Sequence, residues 1–303
     1  MVDNLGRTID YMRISITDKC NLNCIYCNPK NSPVLPKGDI LRYEEILEIC
    51  KVAAANGITN FKVTGGEPLT RKGCINFLHE LKKIGSVSLT TNGTLLEQHI
   101  PNLTGINVNI SLNSLDPITY KKITGHNTFY KVWNSLNKAL EANLNIKINC
   151  VPLKNLNNII PIAQLAEKHP ISIRFIEYMP NIPEKIFSFS TGSEIYQTLL
   201  ETYPDLNPIE TQIGKGPAKY FKSKKLKGNL GLITAIENSF CQTCNRIRLT
   251  SQGFLKLCLF HDQGLDLRRL IRNGEEIDIV EAIKQKPPNH QNNKIKNMPQ
   301  IGG

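Results

Sequence analysis

The sequence lacks any long apolar run, and its first residues lack an apolar core. No stretch approaches the roughly 20 apolar residues that a transmembrane helix needs, so no membrane-spanning helix is expected. The opening residues, MVDNLGRTIDYMRIS, do not resemble an export signal, so we expect a cytoplasmic location. Structural disulfides are rare in that compartment, and the nine cysteines are therefore interpreted as metal ligands and free thiols.

Acidic residues are also in deficit. The chain of 303 residues holds 26 Asp and Glu against 37 Lys and Arg, a formal net charge of +11. Such an excess predicts an anionic partner, and nucleic acid, a nucleotide or an acidic membrane would all satisfy it. The remaining composition, 40% hydrophobic and 21% charged, is typical of a globular protein that can bury a full core.

Short alternating patterns and amphipathic stretches follow one another through the first 180 residues. The predicted strands are Tyr11–Thr17, Thr59–Thr64, Ser86–Thr91, Gly105–Leu112, Asn145–Val151 and Ile171–Tyr178. The predicted helices are Tyr43–Asn56, Lys72–Lys83, Tyr130–Ala142 and Leu156–His169. Strand-then-helix units with short connections predict an α/β fold with parallel strands, here a partial barrel. The alternation stops near Pro180, so we predict a barrel domain over residues 1–180 and a smaller C-terminal region over 181–303.

One face of the predicted strands is polar. Apolar residues alternate with hydroxyls, amides and four cations, which are Arg13, Lys62, Lys147 and Arg174. An antiparallel sheet with one face in water would show the same alternation, but the helices between strands favour a parallel sheet. The polar face then predicts a cationic interior cavity that binds a large anion.

Three cysteines, Cys20, Cys24 and Cys27, follow the first predicted strand with three and then two residues between them. Three thiolates on one loop can hold three corners of a [4Fe–4S] cluster and leave one iron open for chemistry. A zinc knuckle would need a fourth ligand nearby, and Asn28 to Ile49 contains no His or further Cys.

A second set, Cys241, Cys244 and Cys258, lies near the C-terminus. His261 would complete a Cys3His zinc ribbon, which on a basic protein indicates nucleic-acid binding, and a second three-cysteine cluster fits equally well. Arg246 and Arg248 lie two apart, so on a strand they project from one face and suit phosphate oxygens.

The motifs SITDKCNLNCIYC, TGGEPL, LTTNG, VNISLNSLD, RFIEYM, GPAKY, FCQTCNRIRLT and the terminal Ile301-Gly302-Gly303 occur in order along nearly the whole chain. Together they resemble the GTP 3′,8-cyclase family of radical S-adenosylmethionine (SAM) enzymes. The resemblance implies an incomplete (β/α)6 barrel of TIM type that binds SAM, a C-terminal region with a second [4Fe–4S] cluster, and GTP between them.

The resemblance also implies the roles of individual residues. The first cluster would be held by Cys20, Cys24 and Cys27, and the second by Cys241, Cys244 and Cys258. The implied SAM contacts are Tyr26, Gly66, Ser111 and Met179, and the implied GTP contacts are Arg13, Lys62, Thr90, Lys147, Arg246 and Arg248. Arg13, Arg246, Arg248, Gly302 and Gly303 would act in catalysis, with the Gly-Gly tail reaching into the active site.

The implied reaction is that of a lyase in molybdenum cofactor biosynthesis. A 5′-deoxyadenosyl radical removes the ribose 3′-hydrogen of GTP, and the carbon radical attacks guanine C8 to give 3′,8-cyclo-7,8-dihydro-GTP. The implied partners are cyclic pyranopterin monophosphate synthase downstream, an electron donor such as flavodoxin or ferredoxin, and a second copy in a homodimer. No nucleic-acid or membrane partner is expected.

Three residues depart from the family pattern. Lys62 stands where arginine is common, which keeps the charge and loses the bidentate fork. Asn28 and Asn113 replace the usual methionine and aspartate. Two rival functions are weighed against the cyclase, a peptide-modifying radical SAM maturase with an auxiliary cluster and a zinc-ribbon nucleic-acid-binding protein.

Overall fold

The computed structural model describes residues 1–27, 35–179, 188–210, 213–290 and 301. Its strands are β1 (Tyr11–Ser15), β2 (Asn60–Thr64), β3 (Ser86–Thr91), β4 (Asn107–Ser111), β5 (Ile146–Cys150), β6 (Ser172–Ile176), β7 (Asn207–Ile209), β8 (Lys219–Lys222), β9 (Asn229–Ile233), β10 (Arg246–Leu249), β11 (Phe254–Lys256) and β12 (Gly264–Asp266). Its helices are α1 (Tyr43–Ala55), α2 (Cys74–Lys82), α3 (Pro117–Thr124), α4 (Phe129–Glu141), α5 (Ile160–Ala163), α6 (Leu165–Lys168), α7 (Gly192–Thr202), α8 (Leu267–Asn273) and α9 (Ile279–Lys284).

The chain forms two compact units, and each draws on separated stretches of sequence. The first contains residues 1–21, 27–90 and 241–303, and the second contains 22–26 and 91–240. The domain boundary predicted at residue 180 lies outside the described residues and stays a prediction.

In the first unit the strands follow the order β12-β11-β10-β1-β2-β3. Strands β10, β1, β2 and β3 run parallel, and β11 and β12 complete the edge as an antiparallel pair. Helices α1 and α2 connect the parallel strands β1, β2 and β3, as parallel neighbours require. Strand β10 therefore pairs with the first strand of the chain, although it lies more than 200 residues later in the sequence, directly after Cys241 and Cys244.

The second unit has the strand order β4-β5-β6-β9-β8-β7. Strands β4, β5, β6 and β9 are parallel, and β8 and β7 are antiparallel. The predicted parallel α/β arrangement is thus confirmed in both units, and the antiparallel alternative is wrong.

Burial explains why the strands carry an apolar and a polar face. On the apolar face Met12, Ile14 and Val63 are completely buried. On the opposite face Ser15 and Lys62 are also buried. A polar face that is withdrawn from water needs polar partners, which neighbouring groups and a polar ligand can both provide.

The single predicted helix at Leu156–His169 is two short helices, α5 and α6. Helix α3 was not predicted, although Asp116 accepts a hydrogen bond from the Thr119 backbone N–H at its N-terminus and Pro117 begins it. Both are standard helix-start signals. Within the described parts of the chain, no helix has the length and apolar character needed to cross a bilayer.

Candidate active site: two cationic strand faces and two cysteine sets

In the first unit, three predicted cationic residues lie side by side. Arg13 on β1 is in register with Arg248 on β10 and with Lys62 on β2. Residues in register on parallel strands project from the same face, so the row Arg248–Arg13–Lys62 presents three positive charges to one space. Thr90 at the end of β3 is buried, and its hydroxyl oxygen has no hydrogen-bond partner among the described residues.

The electrostatics of this row favour a bound anion. Burial, followed by the charges of Arg13 and Arg246, lowers the pKa of Arg248 to about 9. Cations crowded in a region of low dielectric repel one another. An anion with several charged oxygens would relieve that repulsion and accept the forked hydrogen bonds of the guanidinium groups.

The second unit carries its own cationic pair on the polar face. Lys147 on β5 is in register with Asn109 on β4, and Arg174 on β6 donates a short hydrogen bond from Nη2 to Asn109 Oδ1. Burial and the charge of Arg174 lower the pKa of Lys147 to about 8. The Lys147 ammonium is thus a cation that a neighbouring anion would stabilise.

The basic stretch Gly214–Gly228 divides into two parts. Its beginning lies beside Lys147, because Lys147 Nζ donates to the carbonyl of Ile213, the residue just before the stretch (3.3 Å), and a Cβ atom added at Gly214 would lie 3.1 Å from that Nζ. The remainder forms β8 and its turn, where Lys222 Nζ donates to the Lys227 and Gly228 carbonyls (2.9 and 2.7 Å).

The Gly65-Gly66 pair packs against the backbone of Thr17 and Lys19, at the start of the loop that carries Cys20. The Gly66 N–H donates to the Thr17 carbonyl (2.7 Å), and the Glu67 N–H donates to the Lys19 carbonyl (2.8 Å). A Cβ atom added at Gly66 would lie 2.2 Å from the Lys19 carbonyl oxygen. Only glycine permits this approach. The motif therefore packs directly against the backbone that leads into the first cysteine loop.

Cys20 is exposed, whereas Cys24 and Cys27 are partly buried. Burial and the neighbouring Cys20 raise the pKa of the Cys27 thiol to about 12, although the charge of Arg13 opposes the rise. A thiol in this setting becomes a thiolate only when a cation such as iron holds it.

The segment that carries Cys24 and Tyr26 is anchored in the second unit. The backbone N–H groups of Asn23 and Ile25 donate to the carbonyls of Thr124 and Ile123 at the end of α3 (both 2.9 Å). Asn113, which is 4% exposed, donates from Nδ2 to the Tyr26 hydroxyl oxygen (2.7 Å). Asn113 also accepts the Val151 N–H at Oδ1 (2.8 Å), so its amide orientation is determined and it fixes the ring of Tyr26.

The second cysteine set lies in the first unit beside β10 and β11. Burial alone would raise the pKa of Cys244, but the charges of Lys286 and Arg246 outweigh burial and hold that pKa below its ordinary value. Cys241 Sγ lies 3.1 Å from Nδ1 of His290. His261 places Nε2 3.0 Å from the Asn289 carbonyl oxygen.

All nine cysteines are free thiols. Cys50, Cys74 and Cys150 are buried and pack in the core. Among the residues that the structure describes, no three Cys, His, Asp or Glu side chains converge as a metal site. The donor chemistry of both cysteine sets nevertheless fits an iron–sulfur cluster, because each offers three thiols beside cationic side chains.

Of the other predicted site residues, Ser111 is half-buried at the end of β4, in register with Asn149. Met179 is the last described residue of its segment, and Gly302 and Gly303 lie outside the described residues. Sequence reasoning missed two buried cations, Arg7, which donates to the Cys241 carbonyl, and Lys286, which donates to the carbonyls of Arg246 and Leu257 beside Cys244 and Cys258.

Two family models match most of the chain. Residues 14–166 match the radical SAM superfamily, and residues 171–292 match the model described as Molybdenum Cofactor Synthesis C. The chain is similar to the GTP 3′,8-cyclase of Clostridium perfringens, with 41% identity over 96% of this chain and 94% of that protein. It is also similar to the GTP 3′,8-cyclase of Petrotoga mobilis, with 40% identity over 100% of both chains.

Among solved structures, the chain is similar to Streptococcus suis SuiB bound to S-adenosylmethionine. The TM-score is 0.66 at 14% identity, and the match covers 92% of this chain and 68% of that one. An identity this low shows the fold alone. The fold is that of the radical SAM enzymes, which confirms the predicted fold class.

Proposed function

Because the chain belongs to the GTP 3′,8-cyclase family of radical SAM enzymes in molybdenum cofactor synthesis, we propose that it converts GTP to (8S)-3′,8-cyclo-7,8-dihydroguanosine 5′-triphosphate and acts as a lyase. The observation that carries the proposal is the row Arg248–Arg13–Lys62, in which three cations meet in register on one polar face. A triphosphate is the substrate part that such a row suits.

We assign the first cluster to Cys20, Cys24 and Cys27, and the second to Cys241, Cys244 and Cys258. SAM would contact Tyr26, Gly66, Ser111 and Met179. When bound, the first cluster and SAM would supply the one-electron chemistry for removal of the ribose 3′-hydrogen, and the overall reaction would form the C3′–C8 bond and consume one further electron and one proton.

The chain's own side chains bind and orient the substrate. Arg13, Lys62, Arg246 and Arg248 would hold the nucleotide by charge-assisted hydrogen bonds, and Thr90 offers a buried hydroxyl oxygen that needs a partner. Lys147 would add a further positive charge. Binding at several points positions the ribose hydrogen for abstraction and excludes water from a reactive intermediate. Gly302 and Gly303 remain proposed contributors from the tail.

The test is an anaerobic reaction of the reconstituted protein with SAM and a strong reductant. GTP, ATP and no nucleotide are compared, and 5′-deoxyadenosine and a cyclised nucleotide are measured. GTP deuterated at C3′ should transfer its label to 5′-deoxyadenosine. Cleavage of SAM that is independent of GTP would retain the radical SAM assignment and remove GTP as the substrate.

A matched pair of variants tests the cationic row. Arg248→Gln should abolish the GTP-dependent product while iron content stays unchanged. Arg269→Gln removes the same charge from a side chain that is 62% exposed and should behave as the wild type. Equal activity of the two variants would exclude Arg248 from the substrate site.

The remaining partners follow from the proposed reaction. The product would pass to cyclic pyranopterin monophosphate synthase, and flavodoxin or ferredoxin would supply electrons. A homodimer remains a proposal that sedimentation would test. The full-length similarity to GTP 3′,8-cyclases disfavours the maturase alternative. The similarity to SuiB does not support that alternative, because at 14% identity it shows only a shared fold.

A further inference from the structure

Lys286 lies buried next to the second cysteine set. The residue lies two positions after the end of α9, and it is 4% exposed. The ammonium donates to the Arg246 carbonyl (2.8 Å) and, through a short hydrogen bond, to the Leu257 carbonyl. Arg246 is two residues after Cys244, and Leu257 directly precedes Cys258. One ammonium therefore connects the two backbone arms that carry these cysteines.

Arg7 holds the backbone of Lys286 from the other side. Its Nη2 donates to the carbonyls of Lys286 and Pro287 (both 3.0 Å), and its Nη1 donates to the Cys241 carbonyl (2.9 Å). Asp3 pairs with Arg7 Nε at 2.6 Å, and both side chains are almost completely buried. We call Asp3, Arg7 and Lys286 the clamp. It contacts backbone beside each of the three cysteines.

The charges in the clamp do not balance. Asp3 neutralises Arg7, but Lys286 forms no ion pair with a carboxylate in the described part of the chain, and its other charged neighbours, Arg7 and Arg246, are cations. Buried charges are costly unless an opposite charge accompanies them. The acidic groups that interact with Lys286 are the thiols of Cys244 and Cys258, which become negative when they ligate a metal.

We propose that Lys286 is a positioning residue for the second cluster, which fixes the Arg246 and Leu257 carbonyls and offsets the negative charge of the ligating thiolates. This inference rests on the proposed second cluster. A [4Fe–4S]2+ core with three thiolates carries net negative charge, and a nearby cation favours the reduced form more strongly because it carries one more electron. Lys286 therefore raises the reduction potential and slows loss of the cluster.

Three variants separate charge from structure. Lys286→Gln removes the charge, Lys286→Arg keeps it, and Lys284→Gln makes the same change on the exposed end of α9. Holoenzymes are titrated with a reductant under electron paramagnetic resonance, and the signal of the second cluster is identified as the one that disappears in Cys258→Ser. Iron release to a chelator is followed in the same preparations.

We expect Lys286→Gln to shift that signal to a more negative potential and to release its iron at least tenfold faster. Lys286→Arg and Lys284→Gln should remain near the wild type in both measurements. Lys286→Met, which fills similar space without charge, replaces the glutamine variant if that variant does not fold.

A wild-type potential and release rate in the uncharged variant would overturn the role of Lys286 while leaving the second cluster in place. A wild-type protein with no signal that depends on Cys258 would overturn both the cluster and the role of Lys286. GTP-dependent cleavage of SAM is scored separately, so that a failure of the proposed reaction is distinguished from either result.

Discussion

The affinity of the protein for GTP should decrease as the pH rises through 8, because Lys147 loses its proton there. Lys147 is partly withdrawn from water on β5, and burial together with the charge of Arg174 lowers its pKa to about 8. A triphosphate is already ionised above pH 7, since the second ionisation of a phosphate group has a pKa of about 6. Between pH 7 and pH 9, therefore, the charge of the protein changes and the charge of the triphosphate does not.

The magnitude follows from the fraction of Lys147 that carries charge in the free protein. With a pKa of about 8, that fraction is about 0.9 at pH 7, about 0.5 at pH 8 and about 0.1 at pH 9. A bound anion raises the pKa of the ammonium, so the complex keeps the proton. If only the charged form of Lys147 binds GTP well, its titration alone increases the dissociation constant about tenfold between pH 7 and pH 9, and Arg248, whose pKa is about 9, adds to the increase near pH 9.

Isothermal titration calorimetry of the holoenzyme under argon would measure this change at pH 7, 8 and 9. Buffers of different ionisation enthalpy would also show proton uptake on binding, greatest at the highest pH. The control is Lys147→Arg, because a guanidinium has a far higher intrinsic pKa than an ammonium, and the titration of Arg248 near pH 9 is common to both proteins. A loss of affinity that is the same in Lys147→Arg and in the wild type would refute the assignment of the titration to Lys147.

Three further substitutions test other parts of the site. Arg246→Ala should weaken GTP binding by about 10-fold to 150-fold, the loss of about 1.5–3 kcal/mol expected for a hydrogen bond to a charged group, with both clusters intact; unchanged affinity would remove Arg246 from the site. Cys258→Ser should lower bound iron from about eight to about four atoms per chain, and loss of all iron would show that the cysteines are grouped incorrectly. Asn113→Ala should lower the free energy of unfolding by about 1–3 kcal/mol, because the Val151 N–H loses its acceptor, and should weaken SAM binding. The SAM effect should disappear in a Tyr26→Phe background, whereas an equal effect in both backgrounds would show that Asn113 does not act through Tyr26.

The parallel strands were predictable because their periodicity is local. Every predicted strand of the first 180 residues is present, and the bounds differ by no more than a few residues at either end. Alternation along one strand also identified which side chains share a face, so Arg13 and Lys62 could be placed on one face before their registration was known. That they lie directly side by side required the structure.

Long-range pairing was not predictable from the sequence. Nothing near Arg246 indicates that its strand would lie parallel to β1, and this pairing is what brings Arg248 beside Arg13. Arg7 likewise looks like a surface residue near the N-terminus, yet its guanidinium contacts the Cys241 carbonyl across 234 positions of sequence. Local composition does not predict contacts between residues so far apart in sequence, so the positions of Arg7 and Lys286 beside the second cysteine set were not predicted.

The position of β10 next to β1 has a consequence for synthesis of the chain. On the ribosome, β1 emerges early, but its second neighbour β10 follows only after more than 200 further residues, which takes roughly 10 to 50 seconds at about 5–20 residues per second. During that interval one backbone edge of β1 has no strand to pair with, and such an edge can recruit other extended chains. Nascent chains of this protein should therefore aggregate more readily than the finished one, and a chaperone that shields the early strand should improve its yield.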